Sequence, residues 1–349
     1  MKRLLTLFLC AALLTGCTAL PGEERSFALC LGIHAAGASV EATVLLPNYK
    51  GDNKYLTLSA RGENLSEALI ALSAVCPSRL SFGQLRLLLF SEETAADADF
   101  PFLLGEVAVI SGMRLNVMTL VTRDDMQELM TALRPQSGVR LSKYLDTLLR
   151  AQVEMGFLPG TTLSELRRMG QRQSPALGCA ALRQEDMPED GLDGEIAHLP
   201  AGNEGEVHFG GCVLLGQDGR MQGRLSLRET QLLTMLLGRT KDLALAWPDA
   251  VATLHVRGVR ARLESNSLKL HVTARIMTAQ GAPAQLTAYL EQDLLDLAAR
   301  LNASGCDALG LKRQELWQHP RSADFDGAAW AEVLHGLQVQ AEVELLPQA

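Results

Sequence analysis

The residue best placed for a defined chemical reaction is Cys17, which ends the segment Leu14-Thr15-Gly16-Cys17. Lys2 and Arg3 precede a short apolar run over residues 4–14, the pattern of a secretory signal peptide. The small residues before Cys17 suit the extended site of a signal peptidase, and its thiol is the side-chain nucleophile that a diacylglycerol transferase can alkylate. The spacing therefore predicts cleavage before Cys17 and lipid attachment to it.

Two simpler interpretations of this segment stay open. One is an ordinary cleaved signal peptide that happens to end at a cysteine, and the other is a short buried helix at the start of a cytosolic domain. The run is too short for a permanent membrane helix, which needs about twenty residues. Because two acyl chains such as palmitate hold a protein firmly, lipid on Cys17 is sufficient to anchor the chain to the outer face of a membrane.

The composition is that of a folded protein without a nucleic-acid partner. The chain has 349 residues, enough for two domains, with 47% hydrophobic and 21% charged residues. Its formal net charge of -8 disfavours electrostatic binding to nucleic acid or to anionic lipid. The membrane contact is therefore assigned to the lipid on Cys17.

The other residues capable of chemistry form no recognisable site. Cys30, Cys76, Cys179, Cys212 and Cys306 have no CxxC spacing, and we predict buried free thiols rather than disulfides or a zinc site. The seven histidines lack metal-binding spacing, and the sequence has no nucleophile elbow, Walker loop or dinucleotide fingerprint. We predict no metal, no cofactor and no enzyme activity.

Two pairs of adjacent carboxylates, Glu92-Glu93 and Asp124-Asp125, suggest general acid catalysis. Adjacent residues on a helix point in different directions, so neither pair is expected to flank one substrate bond. Acidic residues at the start of a helix explain both pairs better, and Asp124 is predicted to cap a helix that ends at Leu133.

Hydrophobic periodicity predicts strands and helices in both halves of the chain. Strands are predicted over 26–33, 40–46, 55–60, 79–90, 115–121, 206–215, 221–225, 251–263, 268–279 and 337–345. Helices are predicted over 66–75, 100–110, 124–133, 139–154, 163–172, 227–237 and 285–301. The apolar run 87–90 indicates an inner strand, whereas the alternation in 268–279 indicates one wet face.

These elements predict the α+β class: two or more domains, each a mainly antiparallel or mixed sheet with helices packed on it. The predicted organisation is a lipoprotein signal peptide (1–17), a tether (18–25), an N-terminal α+β domain (26–183), an acidic linker (184–205) and a C-terminal α+β domain (206–349). The N-terminal region is either one domain or two subdomains, the second beginning at about residue 135.

Three stretches carry a family resemblance. They are GENLSEAL at 62–69, RLSFGQLRLLLFSEETA at 79–95, and the hairpin from Gly210 that leads into Glu229-Thr230. With the tail at 307–311, Trp317 and Trp330, they resemble the Ger(x)C lipoproteins, the C subunits of bacterial spore germinant receptors.

The resemblance implies a non-catalytic subunit, lipid-anchored on the outer face of the spore inner membrane and needed for assembly or signalling in nutrient-triggered germination. Its implied partners are polytopic membrane receptor subunits. The alternative is a solute-binding lipoprotein of a transporter, for which we expect two parallel α/β lobes and a ligand cleft. Glu229 is predicted to cap a helix rather than to contact a partner.

Overall fold

The computed structural model describes residues 25–48, 54–110, 112–135, 139–168, 175–182, 207–264, 266–318 and 327–347. The predicted signal peptide with Cys17 and the acidic linker 184–205 lie outside the described residues. Mixed sheets with helices packed on them make the fold α+β, which confirms the predicted class.

Strands and helices are interspersed along the chain. The strands are β1 (Arg25–Phe27), β2 (Cys30–Ala36), β3 (Ser39–Pro47), β4 (Tyr55–Gly62), β5 (Arg79–Ser81), β6 (Leu87–Ser91), β7 (Met118–Thr122), β8 (Ala176–Ala181), β9 (His208–Leu215), β10 (Met221–Leu225), β11 (Asp242–Trp247), β12 (Ala250–Glu264), β13 (Ser267–Gln280) and β14 (Gln338–Leu346). The helices are α1 (Leu65–Val75), α2 (Glu92–Ala96), α3 (Phe100–Ala108), α4 (Met126–Ala132), α5 (Leu141–Glu154), α6 (Leu163–Leu166), α7 (Leu227–Leu236), α8 (Pro283–Ala303), α9 (Leu311–Gln318) and α10 (Gly327–His335).

The larger sheet has eight strands in the order β10-β9-β8-β7-β6-β2-β3-β4. Its centre, from β2 through β6 and β7 to β8, is parallel, and the flanking strands are antiparallel. Helices α1, α3 and α6 cover one face, and α4 and α5 cover the other. In β6, Leu88 and Phe90 face the first core while Leu87 and Leu89 face the second, so β6 is the inner strand that the apolar run predicts.

The smaller sheet has four strands in the order β11-β12-β13-β14. Burial alternates along β13: Leu268, Leu270 and Val272 are buried, and Lys269 lies on the open face. The long helix α8 covers the buried face with a stripe of leucines at positions 286, 290, 294, 297 and 301. The predicted wet face of β13 and the predicted packing of α8 across these strands are both present.

Strand β9 joins the two sheets. Its side chains alternate between two cores: Val213 and Leu215 pack under α1, α3 and α6, whereas Cys212 and Leu214 pack into the core of the smaller sheet. The hairpin β9–β10, which the sequence assigns to the C-terminal domain, pairs through β8 with the N-terminal strands. The eight-stranded sheet therefore continues along the chain to Leu225, and the four-stranded sheet begins at β11.

Candidate functional site

A polar cluster lies where the central parallel strands end. His34 lies near the end of β2, Ser91 ends β6, and Arg123 follows β7 directly. The carboxyl ends of parallel strands are where open α/β sheets commonly bind ligands. This cluster is therefore the first place to look for a functional site.

Glu92 is the centre of this cluster. Its Oε2 accepts a hydrogen bond from Arg123 Nε at 2.6 Å, and its Oε1 lies 2.5 Å from Arg224 Nη2 on β10. Because Glu92 also opens α2, the carboxylate lies at the favourable end of the helix dipole. The crevice beside it, lined also by Thr122 and Cys179, has room for about one water molecule. Glu92 thus connects α2, β7 and the β9–β10 hairpin.

The cluster also contains a serine–histidine pair, an arrangement that can activate a nucleophile. His34 Nδ1 lies 2.8 Å from Ser91 Oγ, and Ser91 Oγ accepts a hydrogen bond from Thr94 N at 3.2 Å. Thr94 Oγ1 in turn accepts from Ala35 N at 2.7 Å. Ser91 is buried and caps α2, so these contacts fix the start of the helix against β2.

Replacing Glu92 by glutamine should lower the free energy of unfolding by about 1–2 kcal/mol, because two arginines lose a charged partner that is 12% exposed. The matched control is Glu93→Gln, whose side chain is 78% exposed and 4.0 Å from His34 Nε2, with an expected change within about 0.5 kcal/mol. Urea titrations of both variants measure this difference. If both variants lose the same unfolding free energy, the ion pairs of Glu92 contribute nothing to stability.

The second carboxylate pair also starts a helix, with a shift of one residue from the prediction. Asp125, not Asp124, caps α4, because its Oδ1 accepts from Gln127 N and Glu128 N, both at 2.9 Å. Asp124 accepts instead from Leu182 N at 2.6 Å and so holds the end of β8. The predicted cap at Asp124 is therefore wrong.

Glu229 has the capping role that the sequence predicts. Ser226 and Glu229 form a reciprocal capping box at the start of α7, in which Ser226 N donates to Glu229 Oε2 at 2.8 Å. Arg300 Nη1 on α8 contacts both carboxylate oxygens at 2.8 Å. The side chain thus fixes the helix start and links it to the longest helix.

The tail motif at 307–311 forms a buried polar site. Asp307 accepts hydrogen bonds from Leu311 N at 2.6 Å, from Lys312 N at 2.8 Å and from Trp330 Nε1 at 3.2 Å. These contacts join the start of α9 to α10. Trp317, which the family resemblance groups with this tail, is 82% exposed and lies outside this site.

Asp307 should make stability depend on pH. Burial raises the pKa of its carboxyl to about 6, against the opposing hydrogen bonds from Lys312 and Leu311. Between about pH 4 and 6 the folded state therefore holds a proton that the unfolded chain has lost, so this contribution to stability falls as pH rises. Relative to the Asp307→Asn variant, the wild type should lose about 2 kcal/mol of unfolding free energy between pH 4.5 and 7.

Denaturant titrations at both pH values measure this difference, and the variant serves as the reference because asparagine does not titrate. If the unfolding free energies of wild type and variant differ by the same amount at pH 4.5 and at pH 7, Asp307 ionises alike in the folded and unfolded chains.

The cysteines of the described residues are free thiols, as the sequence predicts. Cys30, Cys179, Cys212 and Cys306 are buried, and Cys76 is half-buried. Burial raises the pKa of the Cys212 thiol to about 12 and raises that of Cys179 well above its usual value. Such thiols carry little thiolate at neutral pH, which is the reactive form.

Two observations concern the part of the chain that the structure describes. No group of histidine, cysteine and carboxylate side chains there could hold a metal ion, and no helix there combines the length and apolar character needed to cross a bilayer.

A groove of about 380 Å³ runs over the open face of the smaller sheet, lined by residues that include Arg260, Arg262, Lys269 and Glu342.

The fold and the polar clusters together define an α+β protein whose eight-stranded and four-stranded sheets are joined at β9, in which the carboxylates Glu92, Glu229 and Asp307 tie elements together. Residues 21–178 match the family model described as the spore germination protein N-terminal domain. The fold resembles the crystal structure of the GerBC protein at 12% identity, covering 91% of this chain and 97% of that chain with a TM-score of 0.54. The comparison with curated protein sequences gives no match.

The family model over residues 21–178 and the likeness of fold to the GerBC protein support the resemblance to the Ger(x)C family that the sequence predicts. The family match covers the first two stretches on which the resemblance was based. The third, the hairpin leading into Glu229, forms β9, β10 and the capped start of α7.

Proposed function

We propose that this protein is a lipid-anchored, non-catalytic subunit of a spore germinant receptor, needed for assembly or signalling in nutrient-triggered germination. The observation that carries the proposal is the family match over residues 21–178. The whole-chain likeness of fold to the GerBC protein and the lipoprotein signal ending at Cys17 are consistent with it.

Lipid on Cys17 holds the chain on the outer face of the spore inner membrane, beside polytopic receptor subunits. Tethering two partners to one membrane raises their effective concentration, so that modest contacts suffice for assembly. The carboxylates of Glu92, Glu229 and Asp307 are engaged in helix capping, ion pairs and hydrogen bonds, which agrees with a role in recognition rather than catalysis.

The transporter alternative expects a cleft between parallel α/β lobes. In the described residues, the groove over the smaller sheet lies on one open sheet face and not between two lobes, and the crevice at Glu92 admits about one water molecule. Neither observation favours a solute-binding lipoprotein, and the family match favours germination.

Deletion of the gene in its sporulating host tests the proposal. We expect spores to form normally and to lose their response to one class of nutrient germinant, while germination by an unrelated chemical trigger persists. The control is complementation with the full-length gene. Normal germination by every nutrient, in a strain without paralogous C subunits, would contradict the proposed role.

A further inference from the structure

Two adjacent helices present an apolar surface that the fold leaves uncovered. Among the residues that the structure describes, nine large hydrophobic side chains are exposed, and four of them lie at α1 and α3: Ile70, Val75, Phe102 and Val109. Ile70, Phe102 and Val109 are 70%, 71% and 77% exposed. We call these four residues the apolar patch.

Three residues of the apolar patch, Ile70, Phe102 and Val109, point away from the core, and Val75 is exposed at the C-terminal end of α1. Both helices pack on the same face of the eight-stranded sheet, α1 through Leu65, Ala68 and Leu72, and α3 through Phe100, Leu103, Leu104 and Val107. The helices are neighbours there. In α3, Phe102 and the following Val109 are seven residues apart, which places them on one stripe of the helix opposite these buried residues.

The chain enters the fold beside this surface. Strand β1 begins at Arg25 and pairs in parallel with β5, which follows α1. Ser26 Oγ lies 2.8 Å from Ser78 Oγ, and Ser78 is three residues beyond Val75, the last residue of α1. The segment arriving from Cys17 therefore reaches the folded part next to the C-terminal end of α1.

The length of that segment limits how far the fold can stand from a lipid on Cys17. Residues 18–24 separate Cys17 from β1, and seven extended residues span at most about 24 Å. Helix α1 has 11 residues and is therefore about 16 Å long. A bilayer that holds the lipid thus lies within reach of the whole outward side of α1.

We infer that the apolar patch rests on the surface of the phospholipid bilayer to which Cys17 is attached. Apolar side chains on a helix can lie in the boundary between headgroups and acyl chains, and Arg79, exposed on β5 where the chain enters the fold, supplies a cation for the phosphates of that layer. Two carboxylates, Glu67 and Glu106, lie on the same helices, so the contact is peripheral rather than deep. The inference rests on the proposed lipid anchor and fixes how the fold is oriented on the membrane.

The test replaces natural acylation by an anchor that does not depend on it. The full mature chain carries a histidine tag in place of Cys17 and binds vesicles of phosphatidylglycerol and phosphatidylethanolamine that contain a nickel-chelating lipid. In a Trp317→Phe background, Phe102→Trp reports on the apolar patch. The matched control is Met277→Trp, since Met277 is an exposed apolar residue on the smaller sheet.

After subtraction of the emission of the Trp317→Phe parent, which retains the buried Trp247 and Trp330, the remaining Phe102→Trp emission should be quenched at least about twofold by vesicles with brominated acyl chains, because groups held in the interface come within range of those chains. The Met277→Trp emission should not change. Unchanged emission of both variants would overturn the inference.

A pair of charged variants gives a second measurement. Ile70→Asp/Phe102→Asp should weaken binding of the tagged chain to the same vesicles about tenfold, because a second contact near the anchor strengthens overall binding. Val251→Asp/Met277→Asp, which alters two exposed residues of the smaller sheet, should leave it unchanged. Circular dichroism checks that all variants fold.

Two further outcomes separate this inference from the proposed function. If mass spectrometry of the native protein finds Cys17 without lipid while bromolipid quenching persists, the anchor assignment fails and the lipid contact of the patch is supported. If quenching is absent and Ile70 and Phe102 are needed for a detergent-stable complex with receptor subunits, the patch is a protein-docking face and the inference is overturned.

Discussion

Replacing Cys17 by alanine is expected to release the protein from the spore membrane while leaving its fold intact. Two acyl chains give stable anchoring, whereas weaker single contacts give reversible binding, so the membrane-bound fraction should fall at least about tenfold. None of the helices that the structure describes combines the length and the apolar character needed to span a bilayer. Membrane flotation of spore lysates measures the bound fraction.

The same variant should weaken receptor assembly without abolishing it. On the proposed function, the variant keeps the surface that contacts membrane partners but loses the effective concentration that tethering supplies. Thermal unfolding of the purified variant is the control for its fold, because residue 17 lies eight positions before β1. Membrane retention and germination equal to wild type would show that lipid on Cys17 is incidental.

The sequence predicts the elements whose signals are local. Burial alternates in β13 as its residues alternate, and the stripe of leucines in α8 faces the core. The capping box of Ser226 and Glu229 is recognisable because its two residues are three positions apart. In each case the residues that interact are neighbours in sequence, so the pattern carries the information.

Other elements lack such a local signal. Strand β8 is ALGCAA, buried throughout, and small residues without alternation indicate neither strand nor helix. Strand β11 and the helices α9 and α10 were likewise not among the predicted elements. The cap of α4 was assigned one residue early, because either aspartate of an adjacent pair can accept from the next turn.

The contacts that organise the polar clusters are between residues far apart in sequence. Arg224 reaches Glu92 only because β9 pairs with β8, which brings the β9–β10 hairpin to the N-terminal sheet. Asp307 and Trp330 are both in the tail that the family resemblance identifies, but their hydrogen bond depends on the packing of α9 and α10. Long-range pairing of this kind leaves no periodic pattern in the sequence. The fold class is therefore predictable from the sequence, whereas the geometry of the site is not.

The largest effect on stability is expected from Asp293 on α8. Its Oδ2 lies 2.5 Å from Arg228 Nη2 and accepts from Trp247 Nε1 at 3.0 Å. Arg228 lies over the Trp247 ring, 5.0 Å from the centroid, and also donates to the carbonyl of Ala246. The three side chains thus join α7, α8 and β11 at one largely buried point.

Asp293→Ala should cost about 3–5 kcal/mol of unfolding free energy, because it leaves the buried charge of Arg228 without its carboxylate partner. Asp296→Ala, three residues further along α8, removes an exposed carboxylate that contacts Gln292 and should change stability by less than about 0.5 kcal/mol. Chemical denaturation of both variants gives the comparison. If Asp293→Ala lowers the unfolding free energy as little as Asp296→Ala does, Arg228 and Asp293 are not a coupled buried pair.

A double replacement separates the strength of the pair from the cost of breaking it. Burial raises the pKa of the Asp293 carboxyl even though Arg228 and Trp247 lower it, so desolvation outweighs the attraction between the charges. Exchanging both partners for apolar side chains, as in Arg228→Met/Asp293→Leu, removes both buried charges together. The double variant should therefore be more stable than Asp293→Ala by at least about 2 kcal/mol, measured by the same titration. If the double variant is no more stable than Asp293→Ala, the cost of the single replacement does not come from an unpaired buried charge at Arg228.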